Sequence, residues 1–360
     1  MKVKIIGAGS IGNHLAHASR SLGWQVDICD IDSRALVRTK EMIYPSRYGA
    51  WDNNIRLFTM DEVPENEYDL ICIGTPPDHH FSIANIIIKE SPKAILVEKP
   101  LCDPRSTGSD EIFAALKKYG VKGFVGYDHA VGEAVSFCED LINNEDFGDL
   151  LTIDAETREH WGGIFAAHPW LEGPADSYLG YTERGGGALC EHSHALNLWQ
   201  HFAKKCGAGS IAKVACTINY VENDTLKYDQ LSALTLTTTN GTIGRCIQDV
   251  ITIPSRKYLR LQFEHGFIEV QIGKNENNDL VSWKLGGGEE SKHWVVKKRP
   301  DDFIRELKHI ETSLVGNAYD LSPIKIEKGF ETMAVINAAL ASHENGQTLE
   351  VTYPVRALKS

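Results

Sequence analysis

Three glycines, Gly7, Gly9 and Gly12, stand in the opening MKVKIIGAGSIGNHLAHASRSLGW, between an apolar stretch and an amphipathic one. That spacing suits a dinucleotide. Gly7 permits a tight turn out of a strand, Gly9 lets the backbone approach a pyrophosphate, and Gly12 lets helix and strand pack closely. Ser10 and Ile11 complete the turn, whose helix N-terminus would carry the phosphates. Asp30 ends a second apolar run, eighteen residues beyond Gly12. A carboxylate there accepts both adenosine ribose hydroxyls and repels a 2′-phosphate, which favours NAD over NADP, although Arg34 pulls slightly the other way. The bland alternative is a glycine-rich turn beside a solvated aspartate.

A second group lies in GGGALCEHSHALNLWQHF. The spacing predicts one helix over about 187–204, which places Glu191 and His194 three residues apart on one face. A carboxylate beside an imidazole fixes its tautomer and raises its basicity, so His194 could take a hydroxyl proton while a hydride leaves the same carbon. The glycines 185–187 are expected to free the backbone toward a cofactor edge. His192 points about 100° away and is the weaker candidate. Two histidines near an acid raise the question of a metal, but H-x-H splays its ligands on a helix. Neither H-E-x-x-H nor a cysteine set is present, so no metal is expected. Ahead of the glycines, Trp161, His168, Trp170, Tyr178, Tyr181 and Arg184 crowd one irregular segment. Rings and polar groups of this kind suit a sugar, whose C–H faces stack while its hydroxyls bond; loops also bury aromatics simply to hold themselves down. Trp161, Tyr178 and Arg184 are the substrate-side candidates.

The elements that must position these groups follow from the patterning. Residues 1–126 alternate apolar strands (about 2–6, 25–29, 55–58, 69–73, 94–97 and 123–126) with helical segments. Several are continuous apolar runs, as in strands covered on both faces. This half reads as a Rossmann-type, doubly wound parallel sheet. After Gly148, long alternating stretches joined by turn signals such as Asn240-Gly241 predict a large, open, mostly antiparallel sheet. Helices are expected at about 131–144, 301–315 and 324–345. The fold class is therefore α/β, with a dinucleotide-binding domain over 1–126 and a substrate-binding and oligomerisation domain over 127–360, whose final helices can pack back on the first.

The 360 residues carry 49 acidic and 37 basic side chains, a net charge of −12, which argues against nucleic acid or an anionic membrane as partner. The eight cysteines form no C-x-x-C pair, and neither a leader pattern nor a membrane-length apolar run is present. A cytoplasmic setting is expected. A sheet of this size needs a cover on its second face, which points to a homodimer or homotetramer through the C-terminal sheet.

Taken together, GAGSIG, TPPDHH, EKP, GYDHAVGEAVSFCEDLINNEDFGDLLTIDAE and GGGALCEHSHALNLW resemble the glucose–fructose oxidoreductase, inositol dehydrogenase and rhizopine-catabolism (Gfo/Idh/MocA) family. The resemblance runs to DDFIRELKHI and the final MAVINAALASHENGQTLEV. It implies NAD(P)-dependent hydride transfer between nicotinamide and a hydroxyl or carbonyl carbon of a sugar, sugar derivative or polyol. In the family pattern Lys99 of Glu98-Lys99-Pro100 projects toward the nicotinamide and the reacting carbon, often behind a cis peptide. An ammonium beside a cationic nicotinamide loses stability, so its pKa should fall into a range useful for proton transfer. The resemblance implies catalytic roles for Lys99, His194 and Glu191, cofactor contacts at Thr75, Pro76, His80 and Glu98, and a substrate contact at Tyr127. Two departures stand out. The family's commoner Asp-x-x-x-His becomes Glu191-x-x-His194, and the arginine of its Tyr-Asn-x-Arg is Ala130. Two other readings remain open at this stage: an NAD-dependent glycoside hydrolase working by transient sugar oxidation, and a non-catalytic, cofactor-binding regulator.

Overall fold

Apolar runs without polar alternation become β1 (Lys2–Ile6), β2 (Gln25–Asp30), β3 (Ile55–Thr59), β4 (Leu70–Ile73), β5 (Ala94–Val97) and β6 (Lys122–Val125). They pair in parallel, in the order β3-β2-β1-β4-β5-β6. In β4 all four residues are fully buried, which is why LICI shows no period of two. The structure is a computed structural model that describes residues 1–166, 168–275 and 278–354, so the last six residues of the expected C-terminal domain lie outside it.

These strands belong to a first compact unit made of Met1–Cys102, Ser106–Asp128 and Pro300–Ile326. In the third segment the helix Asp301–Ser313 packs on the helix Ser10–Ser21, with His14 stacked on Phe303 at 5.1 Å between ring centroids. The chain then closes the β6 edge. Val125 N–H donates to the Ile324 carbonyl at 2.9 Å, Phe124 bridges to Lys325, and the Tyr319 hydroxyl donates to the Gly123 carbonyl at 3.0 Å. Unpaired backbone groups on an edge strand are a template for another chain, and here they are used internally.

A second unit comprises Asp103–Arg105, His129–Arg299 and the chain from Glu327 onward. Its strands are β7 (Leu150–Arg158), β8 (Ile211–Glu222), β9 (Lys227–Thr238), β10 (Ile243–Asp249), β11 (Arg256–Phe263), β12 (Gly266–Asn275), β13 (Asn278–Leu285), β14 (Ser291–Val295) and β15 (Leu349–Glu350). They form one sheet, β14-β13-β12-β11-β7-β10-β9-β8-β15. Among the described residues β7 and β10 pair in parallel and the other neighbours pair antiparallel. The short β15 was not expected from its sequence; it is added by pairing with β8. On one face Ile153, Ala155, Leu259, Leu261, Ile268 and Val270 are buried. The helix His194–Lys205 packs on this sheet, and Trp199 Nε1–H donates to the Ile153 carbonyl at 3.0 Å. The other face carries ion pairs, Arg245–Asp154 at 2.7 Å, Arg256–Glu156 at 3.1 Å and Arg260–Glu269.

The helix expected over 187–204 is in fact two, Gly187–Glu191 and His194–Lys205. His192 leaves the helical region, with φ −97° and ψ 23°. Among the described residues no helix is long and apolar enough to cross a membrane, and the eight cysteines are free.

Candidate active site

In the first unit the helix Ser10–Ser21 opens from Gly9 with no side-chain cap and no acidic residue in its first turn. Its leading amides and the positive end of its dipole are thus left to a ligand. A Cβ placed on Gly9 would meet nothing within 4 Å, whereas one on Gly12 would stand 2.0 Å from the Gly7 carbonyl oxygen. Gly9 therefore borders open space and Gly12 a packed turn. Ser10 and Ile11, both partly exposed, follow on the same rim. Gly7 has φ +107°, a conformation that side chains rarely adopt. Asp30 stands at the end of β2, partly exposed, with its carboxylate oriented by Ala8 N–H at 2.8 Å and Asp32 N–H at 2.9 Å. Arg34 is almost fully exposed and pairs with Asp32, at 3.0 Å, rather than with Asp30.

The loops after β4 and β5 complete this rim. Thr75 and Pro76 are partly exposed, and the Thr75 hydroxyl is buried with no hydrogen-bond partner among the described residues. The Gly9 space, the uncapped helix and this orphaned hydroxyl together fit a dinucleotide. His80 sits elsewhere than on that surface. It is fully buried, with Nε2 2.8 Å from the Thr75 carbonyl oxygen and Nδ1 3.1 and 3.2 Å from those of Pro100 and Leu101. Burial holds its pKa below the ordinary histidine value. His80 ties two cofactor-side loops together through their backbones.

Lys99 is partly exposed, and its peptide to Pro100 is cis. Glu98 points inward. It is 6% exposed, its Oε2 accepts from Lys99 N–H at 3.3 Å, and its carboxylate fills the space that a Cβ on Gly126 would need. Nearby, Glu306 is fully buried, and both its carboxyl oxygens lack a hydrogen-bond partner among the described residues. Burial, followed by the negative charges of Glu98, Asp128 and Asp302, pushes its pKa well above the glutamate range. Tyr127 is also fully buried, so its ring is a packing surface as the structure stands.

In the second unit the break at His192 changes the expected geometry. Glu191 ends one helix and His194 begins the next, so the two are not set by a single helical face. Both are partly exposed. The Tyr178 hydroxyl donates to Glu191 Oε2 at 3.2 Å, and the His194 ring lies against His129, 4.2 Å between centroids. His129 was not singled out in the sequence, where nothing but its position after Tyr127-Asp128 marks it.

Of the other residues on this side, Arg184 is partly exposed, with its guanidinium 5.8 Å from the Tyr181 ring centroid. Trp161 takes the packing role. It is 5% exposed, stacks on Tyr228 at 4.6 Å and shares a core with Leu179, Ala188 and Val250. The triple glycine also has a different reason from the one expected. A Cβ on Gly186 would stand 2.2 Å from the Tyr178 carbonyl oxygen, and one on Gly187 1.9 Å from Asp229 Oδ1. Close approach of the chain's own backbone and of a buried carboxylate demands glycine there, with no ligand needed to explain it.

Comparison with known proteins agrees with this fold. The chain is similar over 98% of its length to a structure described as an NAD binding oxidoreductase from Klebsiella pneumoniae, at 16% identity, 100% coverage of that chain and a TM-score of 0.77. Levoglucosan dehydrogenase in complex with NADH and L-sorbose is similar at 15% identity over 98% of this chain and 99% of the other, with a TM-score of 0.77. The WlbA dehydrogenase from Bordetella pertussis, in complex with NADH and UDP-GlcNAcA, is similar at 17% identity over 98% and 99%, with a TM-score of 0.71. No curated protein sequence matches the chain. The sequence model described as "Oxidoreductase family, NAD-binding Rossmann fold" matches residues 1–127. Residues 1–127 of the chain thus match the NAD-binding Rossmann domain of that oxidoreductase family.

Proposed function

We propose that the chain is an NAD-dependent dehydrogenase that oxidises a hydroxyl, or reduces the matching carbonyl, of a sugar, sugar derivative or polyol. The observation that carries this is the joining, in one chain, of an NAD-binding unit bearing Lys99 with a second unit that presents Glu191, His194 and Tyr178 on a partly exposed segment. Similar folds include a levoglucosan dehydrogenase and a dehydrogenase solved in complex with UDP-GlcNAcA, which supports a sugar-like substrate. Gly9, Ser10, Ile11 and Thr75 would hold the dinucleotide, and Asp30 its ribose. When bound, nicotinamide accepts or returns the hydride.

The protein's own residues handle the proton. His194, or Lys99, removes it from the substrate hydroxyl, and Glu191, itself held by Tyr178, orients the imidazole. Arg184 and Tyr178 hydrogen-bond the substrate. The face of the nine-stranded sheet opposite the His194–Lys205 helix carries both signs of charge, which is compatible with a self-complementary two-fold contact, and we propose a homodimer or homotetramer through it. The free cysteines are consistent with a reducing, cytoplasmic setting.

A thermal-shift screen with NAD present, run against polyols, aldoses, amino sugars and nucleotide sugars, tests the reading. A true substrate raises the melting temperature and yields net NADH absorbance. Aglycone release without net NADH would instead indicate a glycoside hydrolase. A protein that binds NAD but responds to none of these compounds would overturn catalysis on sugars.

A further inference from the structure

Behind the Gly187–Glu191 helix the sheet of the second unit sends up two fully buried polar side chains, Asp229 from β9 and Gln248 from β10. Their placement is specific. Asp229 Oδ2 accepts from Leu189 N–H at 2.6 Å, and Oδ1 accepts from the Thr182 hydroxyl at 2.9 Å. Thr182 Oγ1 in turn lies 3.2 Å from Asp229 N–H, so the two residues are locked to each other. Gln248 takes the helix from the carbonyl side, its Nε2 donating to the Leu189 carbonyl at 3.0 Å and to the Ala188 carbonyl at 3.5 Å. One backbone unit, Leu189, is thus held by its N–H and its C=O at once.

Burying a carboxylate is expensive, and these two hydrogen bonds to its oxygens only partly offset the loss of water. An apolar pair would pack the same space at lower cost. Both side chains are fully buried and make no contact with solvent. Their reach is toward the short stretch that carries Glu191 and, across the break at His192, His194. A five-residue helix followed by a non-helical residue has little rigidity of its own, so its position must come from what grips it.

We propose that Asp229 and Gln248 are positioning residues that clamp the Gly187–Glu191 backbone and thereby fix where Glu191 and His194 are presented. The proposal rests on the reading of Glu191 and His194 as the proton-handling pair. It also accounts for Gly187: with φ +80° and Asp229 Oδ1 in the place of a Cβ, that residue is the gap through which the carboxylate reaches Leu189.

The test uses the full chain with Asp229→Ala, Asp229→Asn and the isosteric Thr182→Val. Three quantities are read: the melting temperature, the NADH dissociation constant, and the pH titration of the His194 Cε1–H resonance, assigned by its loss in His194→Gln. Where the screen has given a substrate, kcat and KM are added. Asp229→Ala should shift the His194 titration and lower kcat at least about tenfold, with NADH affinity kept within about twofold. Asp229→Asn should restore most of both, because its carbonyl still accepts from Leu189 while its amide donates to a Thr182 hydroxyl that can reverse. Should Asp229→Ala fail to fold, Thr182→Val decides, with a smaller shift in the same direction. Wild-type His194 titration in whichever of Asp229→Ala and Thr182→Val is folded would overturn the clamp. The resonance is read without substrate, so absence of turnover in the wild type counts against the dehydrogenase reading and leaves the clamp to be judged on its own.

Discussion

At the scale of single residues, the two halves of the proposed chemistry differ in how visible they are in the sequence. Lys99 and Asp30 stand in ordered motifs and are found there, partly exposed, at the ends of their strands. Lys99→Ala should leave NAD binding intact and abolish turnover; full activity in that variant removes Lys99 from the mechanism. Tyr127 and Trp161 were equally visible as residue types but lie buried, because composition does not tell which aromatic of a segment anchors it. Glu306 was invisible, since its character comes first from burial and then from Glu98 and Asp128, about two hundred residues away in sequence. A carboxyl whose pKa is raised on folding keeps its proton where the unfolded chain has lost it. Its contribution to stability is complete below the ordinary glutamate range and drains away as pH rises through the folded value. The melting temperature of the wild type should therefore fall more steeply from pH 5 to pH 8 than that of Glu306→Gln. Parallel curves would show that folding does not raise the Glu306 pKa.

Elements were legible where one physical rule governs them. The parallel strands of the first unit follow from unbroken apolar runs, and the glycine turn from its spacing. Its glycines should separate by experiment. Gly9→Ala points into open space and should keep the melting temperature while raising the NAD dissociation constant about tenfold or more. Gly12→Ala drives a Cβ to 2.0 Å from the Gly7 carbonyl and should cost about 3 kcal/mol or more of stability, read by urea denaturation. Equal stability of the two variants would contradict the packing described. The break at His192 was not legible, because Glu-His-Ser-His carries neither glycine nor proline and no local signal opposes a helix. The glycines before it were legible as a flexible turn, but their reason, the carbonyls of Tyr178 and Leu179 and the Asp229 carboxylate, exists only in the assembled unit. The two-residue β15 is likewise too short to carry a pattern and is made a strand by β8.

At the scale of the whole molecule, the order of sheet types and the position of the change between them were readable, because alternation replaces continuous apolar runs near residue 148. The composition of the first unit was less so. Its family match ends at residue 127, yet residues 300–326 belong to it, and those residues supply partners to Gly123 and Val125. A fragment of residues 1–127 should therefore associate through β6 and sediment as oligomers or aggregates, and added peptide 300–326 should return it to a monomer. A stable monomeric fragment would show that the returning segment is dispensable. The same stitching has a temporal side. A ribosome delivers the nucleotide-binding motif first, but the last partner of its sheet leaves the exit tunnel only after more than three hundred residues have been translated. Until then the nascent chain carries an unguarded β6 edge, which makes the interval of synthesis the period in which that edge is most open to pairing with another chain.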